Sequence, residues 1–152
     1  MVSPEALRRH PFFAGLNEDQ LRGIAMLSHE VSYPAGTLIV REGDPATKVY
    51  VLTGGSVDLF FEIEGPHGGE AYVGSVVMGE PFDTPALFAP ARVVCSARAE
   101  TDVCLVEMDA AGLLAMFAVD ARLGYAIMLQ TARILAERLN GTRLQLVAKP
   151  VC

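Results

Sequence analysis

Apolar positions change their spacing twice along the chain. Up to residue 29 they recur at helical intervals, from about 30 to 108 they fall in short runs rich in Val, Ile, Thr, Tyr and Phe, and from 109 onward the helical interval returns. Ser3-Pro4-Glu5 reads as a capping residue followed by proline at the first helical position, and Pro11 ends that short helix. Asn17 and Gln20 have capping-box spacing. Leu21, Ile24, Ala25 and Leu27 then share a face, which predicts a helix ending near His29.

The middle runs, at 31–33, 37–40, 48–53, 56–63, 70–76, 93–99 and 103–108, are separated by turn chemistry such as Pro34-Ala35-Gly36, Gly54-Gly55 and Gly65-Pro66-His67-Gly68-Gly69. Strands at this spacing predict a mainly β, α+β fold: an antiparallel double-stranded β-helix, or jelly-roll-like β-roll, closed so that few edges are exposed. Asp109 can cap a helix through about Val119. Asp120 can cap a longer one in which Leu123, Ile127, Ile134, Leu135 and Leu139 line one side, with a break or bend expected at Asn140-Gly141. The expected organisation is one domain over 1–152: N-terminal helices at 1–29, the roll at 30–108 and C-terminal helices at 109–148.

Composition narrows the class. With 51% hydrophobic residues in 152 the chain can build a core. No apolar run reaches the roughly 20 residues of a membrane span, and no secretory leader is legible, so a soluble cytoplasmic protein without membrane contact is expected. Twelve Lys and Arg against 18 Asp and Glu give a net charge of −6 and no basic footprint. Cys95, Cys104 and Cys152 lack ligand spacing, and His10, His29 and His67 are dispersed, so no metal site is expected. Cys95 and Cys104 read as buried structural thiols, Glu62, Glu64 and Glu70 as solvent-facing positions around a hairpin. No nucleophile–base or paired-carboxylate arrangement marks an enzyme.

Tyr33-Pro34-Ala35-Gly36, Glu42-Gly43-Asp44-Pro45-Ala46, the run from Tyr50 to Val57, Gly79-Glu80-Pro81-Phe82, Ala86-Leu87, Ser96 and Ala99 occur in the order of a cyclic nucleotide-binding domain. The chain resembles the sensor half of catabolite-activator-type (CRP/FNR) bacterial regulators over essentially its whole length. The resemblance implies a ligand site built on an insert, Phe-Gly-Glu-x-Ala-Leu, followed by Arg-x-Ala-Thr/Ser-Val. Backbone N–H groups at a short helix start face the cyclic phosphate, the arginine neutralises it, and the glutamate accepts from the ribose hydroxyl. Candidate positions carried over are Gly79, Glu80, Phe82, Asp83, Thr84, Ala86, Leu87, Arg92, Val93, Cys95, Ser96 and, from the final helix, Thr142.

Three of these depart from the family pattern. Asp83 stands at the glycine, Thr84 at the glutamate and Val93 at the arginine. Arg92 lies one residue early, which points it away from the pocket by strand alternation. Loss of a charge-assisted phosphate contact costs about 2–5 kcal/mol, and a carboxylate beside the phosphate adds roughly 1–4 kcal/mol of repulsion. Even about 3 kcal/mol is more than a hundredfold in affinity. Asp83 or Thr84 before Pro85 also makes a helix start that is expected to be capped by its own side chain.

These features predict a stand-alone regulatory module with a degenerate pocket, holding no cofactor and binding neither cAMP nor cGMP tightly. It would act through another ligand or a protein partner. The alternative is a genuine cAMP or cGMP sensor in which Arg92 replaces the arginine and the effector lies on a separate chain. The relatives' long helix implies a homodimer through the C-terminal helix. The sequence closes at Lys149-Pro150 and Cys152 without a recognition helix, so no direct DNA binding is expected.

Overall fold

The computed structural model describes residues 2–148. Four helices and eight strands follow in the order α1 (Pro4–Arg8), α2 (Glu18–Met26), β1 (Ser28–Tyr33), β2 (Leu38–Val40), β3 (Lys48–Gly54), β4 (Val57–Glu62), β5 (Glu70–Val76), β6 (Pro81–Phe82), β7 (Ser96–Ala99), β8 (Val103–Asp109), α3 (Ala110–Val119) and α4 (Ala121–Ala148). Short 3-10 turns occupy Pro11–Phe13 and Thr84–Leu87. The strands form two antiparallel four-stranded sheets, ordered β1-β8-β3-β6 and β2-β7-β4-β5. This is the β-roll.

Local chemistry sets the helix starts. The Ser3 side chain accepts from Ala6 N, and Asn17 and Gln20 complete a reciprocal capping box. Asp109 accepts from Gly112 N, and Asp120 Oδ1 accepts from Leu123 N at 3.1 Å. Two expected ends move. The second helix stops at Met26, because the Ser28 hydroxyl donates to Ile24 O at 2.7 Å and Ser28 already pairs with Met108 in β1. Gly141 does not break α4, which runs on to Ala148; the cost of a glycine in a helix interior, about 1 kcal/mol, does not interrupt it. Lys149, Pro150 and Cys152 lie outside the described residues.

Alternation along two central strands feeds two cores. Val49 and Val51 of β3, with Val106 and Met108 of β8, pack towards the helices against Leu7, Leu21, Ile24, Leu113, Leu123 and Ile127. Tyr50 and Leu52, with Val103 and Leu105, face the second sheet and meet Val57, Leu59, Val76 and Phe82. The molecule is therefore a helical layer, a buried sheet and an outer sheet. Leu123 and Ile127, expected to line one side of the long helix, are fully buried in the chain's own core, so the helix folds back over this part of its length. The stripe continues outward only beyond that point, where Leu139 is 52% and Leu146 63% exposed.

Cys104 also departs from expectation. It is exposed on β8, with Sγ 3.7 Å from the Ser32 hydroxyl of β1. Among the described residues no group of three His, Cys, Asp or Glu could hold a metal ion, and no helix is long and apolar enough to cross a membrane.

Candidate functional site

A cavity of about 620 Å³ lies between the outer sheet and one face of α4. Its size falls in the range of small-molecule sites. The floor is apolar: Leu59 and Phe61 on β4, Val73 on β5 and Phe82 on β6. The β4–β5 register slips between Leu59↔Gly74 and Phe60↔Tyr72, leaving Val73 as an extra residue. This bulge brings the consecutive residues Val73, Gly74 and Ser75 to the wall. The roof is α4, where Leu135, Arg138, Thr142 and Gln145 recur at intervals of three and four and so share a face.

The rim between them is the segment after β6. Phe82 stacks on Tyr50 with ring centroids 5.0 Å apart, which fixes the start of the insert. Asp83 follows in the left-handed region, at φ 58° and ψ 33°. This conformation explains why glycine suits the position, and aspartate is among the few other residues that adopt it readily. It also overturns the expected cap. An N-cap residue sits in extended backbone, and from the left-handed region Asp83 makes no side-chain hydrogen bond to the turn that follows. Its Oδ1 is buried with no hydrogen-bond partner among the described residues. Burial pushes the Asp83 carboxyl up to about 7.

Of the sequence-derived candidates, Phe82, Asp83, Thr84, Cys95 and Thr142 line the cavity. Gly79, Glu80, Ala86, Leu87, Arg92, Val93 and Ser96 do not. Gly79 and Glu80 close the turn before β6: Gly79 N donates to Leu52 O at 2.7 Å, and Glu80 Oε1 accepts from Val77 N at 2.9 Å. Ala86, Leu87 and Val93 belong to the helix-side core. The residue at the family's arginine position is thus buried structure, and the exposed neighbour Val94 meets the cavity instead. Ser96 Oγ accepts from Glu42 N at 2.9 Å, holding the preceding loop. Arg92 is exposed, and its Nη1 donates to Gly43 O at 3.2 Å. It does not reach the wall.

Arg138 was not foreseen from sequence. Its Nη2 donates to Pro81 O at 2.7 Å, tying α4 to the insert. Burial holds its pKa down, and the nearby Glu80 carboxylate opposes that shift. Cys95 sits within the fields of both poles. Its thiol is pushed up chiefly by burial, with Arg138 pulling down and Asp83 and Glu42 pushing up. Among the described residues the cavity therefore has an apolar body, an Asp83 whose unpaired Oδ1 is sealed within the wall, and a partly engaged guanidinium at Arg138.

The cyclic nucleotide-binding domain model matches residues 30–120. The chain belongs to the cyclic nucleotide-binding domain family. A solved cyclic nucleotide-binding candidate from Geobacter metallireducens GS-15 is 36% identical, with a TM-score of 0.81 over 91% of this chain and 99% of that one. The Thermus thermophilus catabolite activator protein is 27% identical, with a TM-score of 0.70 over 90% of this chain and 61% of that one. Among curated proteins, the Emericella nidulans cAMP-dependent protein kinase regulatory subunit is 30% identical over 106 residues, 70% of this chain and 24% of that protein. The CRP-like cAMP-activated global transcriptional regulator of Mycobacterium tuberculosis is 25% identical over 138 residues, 91% of this chain and 59% of that protein. This cyclic nucleotide-binding domain thus spans about a quarter of the first relative and three fifths of the second.

Proposed function

We propose that this domain is a regulatory sensor whose cavity takes a small molecule other than a cyclic nucleotide, and that occupancy is read out through α4. One observation carries the reading: at the start of the 84–87 turn, where the family admits a cyclic phosphate, this chain places the half-buried carboxylate of Asp83, whose Oδ1 has no partner among the described residues. The family's arginine has no counterpart at its own position or beside it, because Val93 is core and Arg92 is held on Gly43. Ligand and helix are linked because the same face of α4 roofs the cavity and donates to Pro81. Beyond residue 135, α4 exposes Leu139 and Leu146. Pairing with a second copy through this half of the helix is the output that suits them. We read the domain as cytoplasmic, regulatory and non-catalytic, with no direct contact to DNA.

A test follows amide hydrogen exchange across 135–145 with and without cAMP at about 1 mM, a concentration that saturates any site tighter than roughly 0.1 mM. The reading expects no change. Protection confined to this segment and the 82–85 turn would overturn it.

A second reading, a true cAMP sensor, draws on the position of Arg138 in the wall and on the named cAMP-responsive relatives. It requires Arg138 to release Pro81 and meet the phosphate, so Arg138→Ala would abolish the cAMP-induced protection.

A further inference from the structure

A guanidinium withdrawn from water is normally met by a carboxylate, because a buried charge without one is costly. Arg138 departs from this rule. It is half-buried in the cavity wall, burial holds its pKa down, and among the described residues it forms no ion pair. The Glu80 carboxylate lies in its field but is engaged by Val77 N at 2.9 Å. Among the described residues the acceptor that the Arg138 side chain meets is Pro81 O, 2.7 Å from Nη2. Nη2 supplies an N–H to each of the two forked edges of a guanidinium, so this bond leaves the other edge, completed by Nη1 or by Nε, whole. Nη1 and Nε have no partner among the described residues, yet the sealed, partnerless side-chain atoms there comprise Asp83 Oδ1 alone, so both nitrogens keep accessible surface. Arg138 is also the one basic side chain among the described residues lining the cavity, and Leu59, Phe61, Val73, Phe82 and Leu135 make the rest of the wall chiefly apolar.

Resting on the reading of the cavity as a ligand site that does not take a cyclic nucleotide, we propose that its occupant is an apolar monocarboxylate. Its head accepts the N–H groups of the open edge of Arg138, and its body lies on Phe61, Val73 and Leu135. A carboxylate matches the spacing of a guanidinium edge, and charge-assisted hydrogen bonds are about twice as strong as neutral ones. The low dielectric of a half-buried site strengthens the attraction further. An ammonium head is the wrong sign for Arg138, and a neutral head leaves its charge unpaired. Asp83 is a separate pole: burial alone moves its carboxyl, so the guanidinium is too far off to hold it ionised, and its Oδ1 is sealed from the cavity. Pro81 keeps its bond to Arg138, so α4 stays tied to the insert. The ligand adds a second tie, from α4 to β4 and β5, and so joins the parts that the regulatory reading requires to move together.

Octanoate, octanol and octylammonium share one chain and differ in the head alone. Calorimetric titration of the full chain at about pH 6 keeps octanoate ionised and Asp83, whose carboxyl titrates at about 7, largely protonated. Saturable octanoate binding is expected, at least about tenfold tighter than octanol, with octylammonium weaker still. Arg138→Gln should bring octanoate and octanol within about twofold, with its folding checked by thermal melting. The ranking of heads in the parent chain stands independently of that variant. So does Phe61→Ala, which touches the body alone and should weaken octanoate and octanol alike. Octanol or octylammonium binding as tightly as octanoate, a preference that survives Arg138→Gln, or no saturable octanoate binding would each overturn the proposal. cAMP titrated into the same protein separates the two levels. Micromolar cAMP affinity overturns the underlying reading, whereas failure of both cAMP and octanoate overturns the carboxylate alone.

Discussion

Asp83→Asn separates the burial of a charge from every other feature of the cavity. The carboxyl titrates at about 7 in the folded protein against an ordinary value of 3.8, with burial as the cause. Below pH 4 both folded and unfolded chains hold the proton, and Asp83 imposes no electrostatic penalty. As the pH rises towards 7 the unfolded chain ionises first, so stability falls; above 7 both forms are ionised and the penalty is constant. A little over three pH units at about 1.4 kcal/mol each gives roughly 4 kcal/mol. Because the Asp83 side chain is only partly buried, solvent screening brings the effective penalty nearer to about 2 kcal/mol. Asparagine keeps the shape, tolerates the left-handed backbone and does not ionise in this range. Urea unfolding of both proteins at about pH 5 and pH 8 gives the difference in stability at each, and titrations common to both cancel. The variant is expected to gain about 1–2 kcal/mol on the parent between the lower and the higher pH. A difference that does not change with pH would refute the claim that Asp83 is buried and unpaired.

Three further outcomes follow from the packing. Arg138→Ala removes the donor to Pro81 O; unfolding should show a loss of about 1–3 kcal/mol, with faster amide exchange in α4 beyond residue 135. Gly55 has φ +86° and no room for a Cβ beside the Asp102 carbonyl, whereas Gly36 has φ +91° with nothing within 4 Å. Gly36→Ala should therefore cost only the backbone term of about 1–2 kcal/mol and Gly55→Ala measurably more, by thermal or urea unfolding. The Arg98 guanidinium donates to both carboxylate oxygens of Glu70 at 2.7 Å and holds Glu70 below the usual carboxylate range. In Arg98→Ala, a carbon-detected NMR titration should show Glu70 returning upward; an unmoved Glu70 would contradict the contact.

What the sequence disclosed follows the range of the forces involved. Caps at Ser3, Asn17, Asp109 and Asp120 act within three residues, so they were readable from spacing, as were the strand alternation and the turns. The fold followed from these local signals and from the order of the family's motifs. β6 was missed because two residues carry no period. The wall of the cavity was legible where it coincides with the family insert, at Phe82, Asp83 and Thr84, and lost where it depends on distant parts of the chain. Leu135, Arg138 and Gln145 form a clear helical face, yet nothing local says that this face, and not that of Leu123 and Ile127, roofs a cavity. The buried pair does the folding back, and the more distal face roofs the cavity. Asp83 itself stood out in the sequence as a charge at the position of the family's glycine. Its conformation was not legible, because a cap and a left-handed aspartate look alike in one dimension.

The central claim is that the phosphate corner of a cyclic nucleotide-binding domain has been converted here by Asp83 and by the burial of Val93. Isothermal titration of the purified chain with cAMP and with cGMP, carried to millimolar ligand, tests it most directly. The account predicts no binding tighter than roughly 0.1 mM for either nucleotide, the result of losing at least about 3 kcal/mol from a micromolar site. Saturable binding of either nucleotide at micromolar concentration would contradict it.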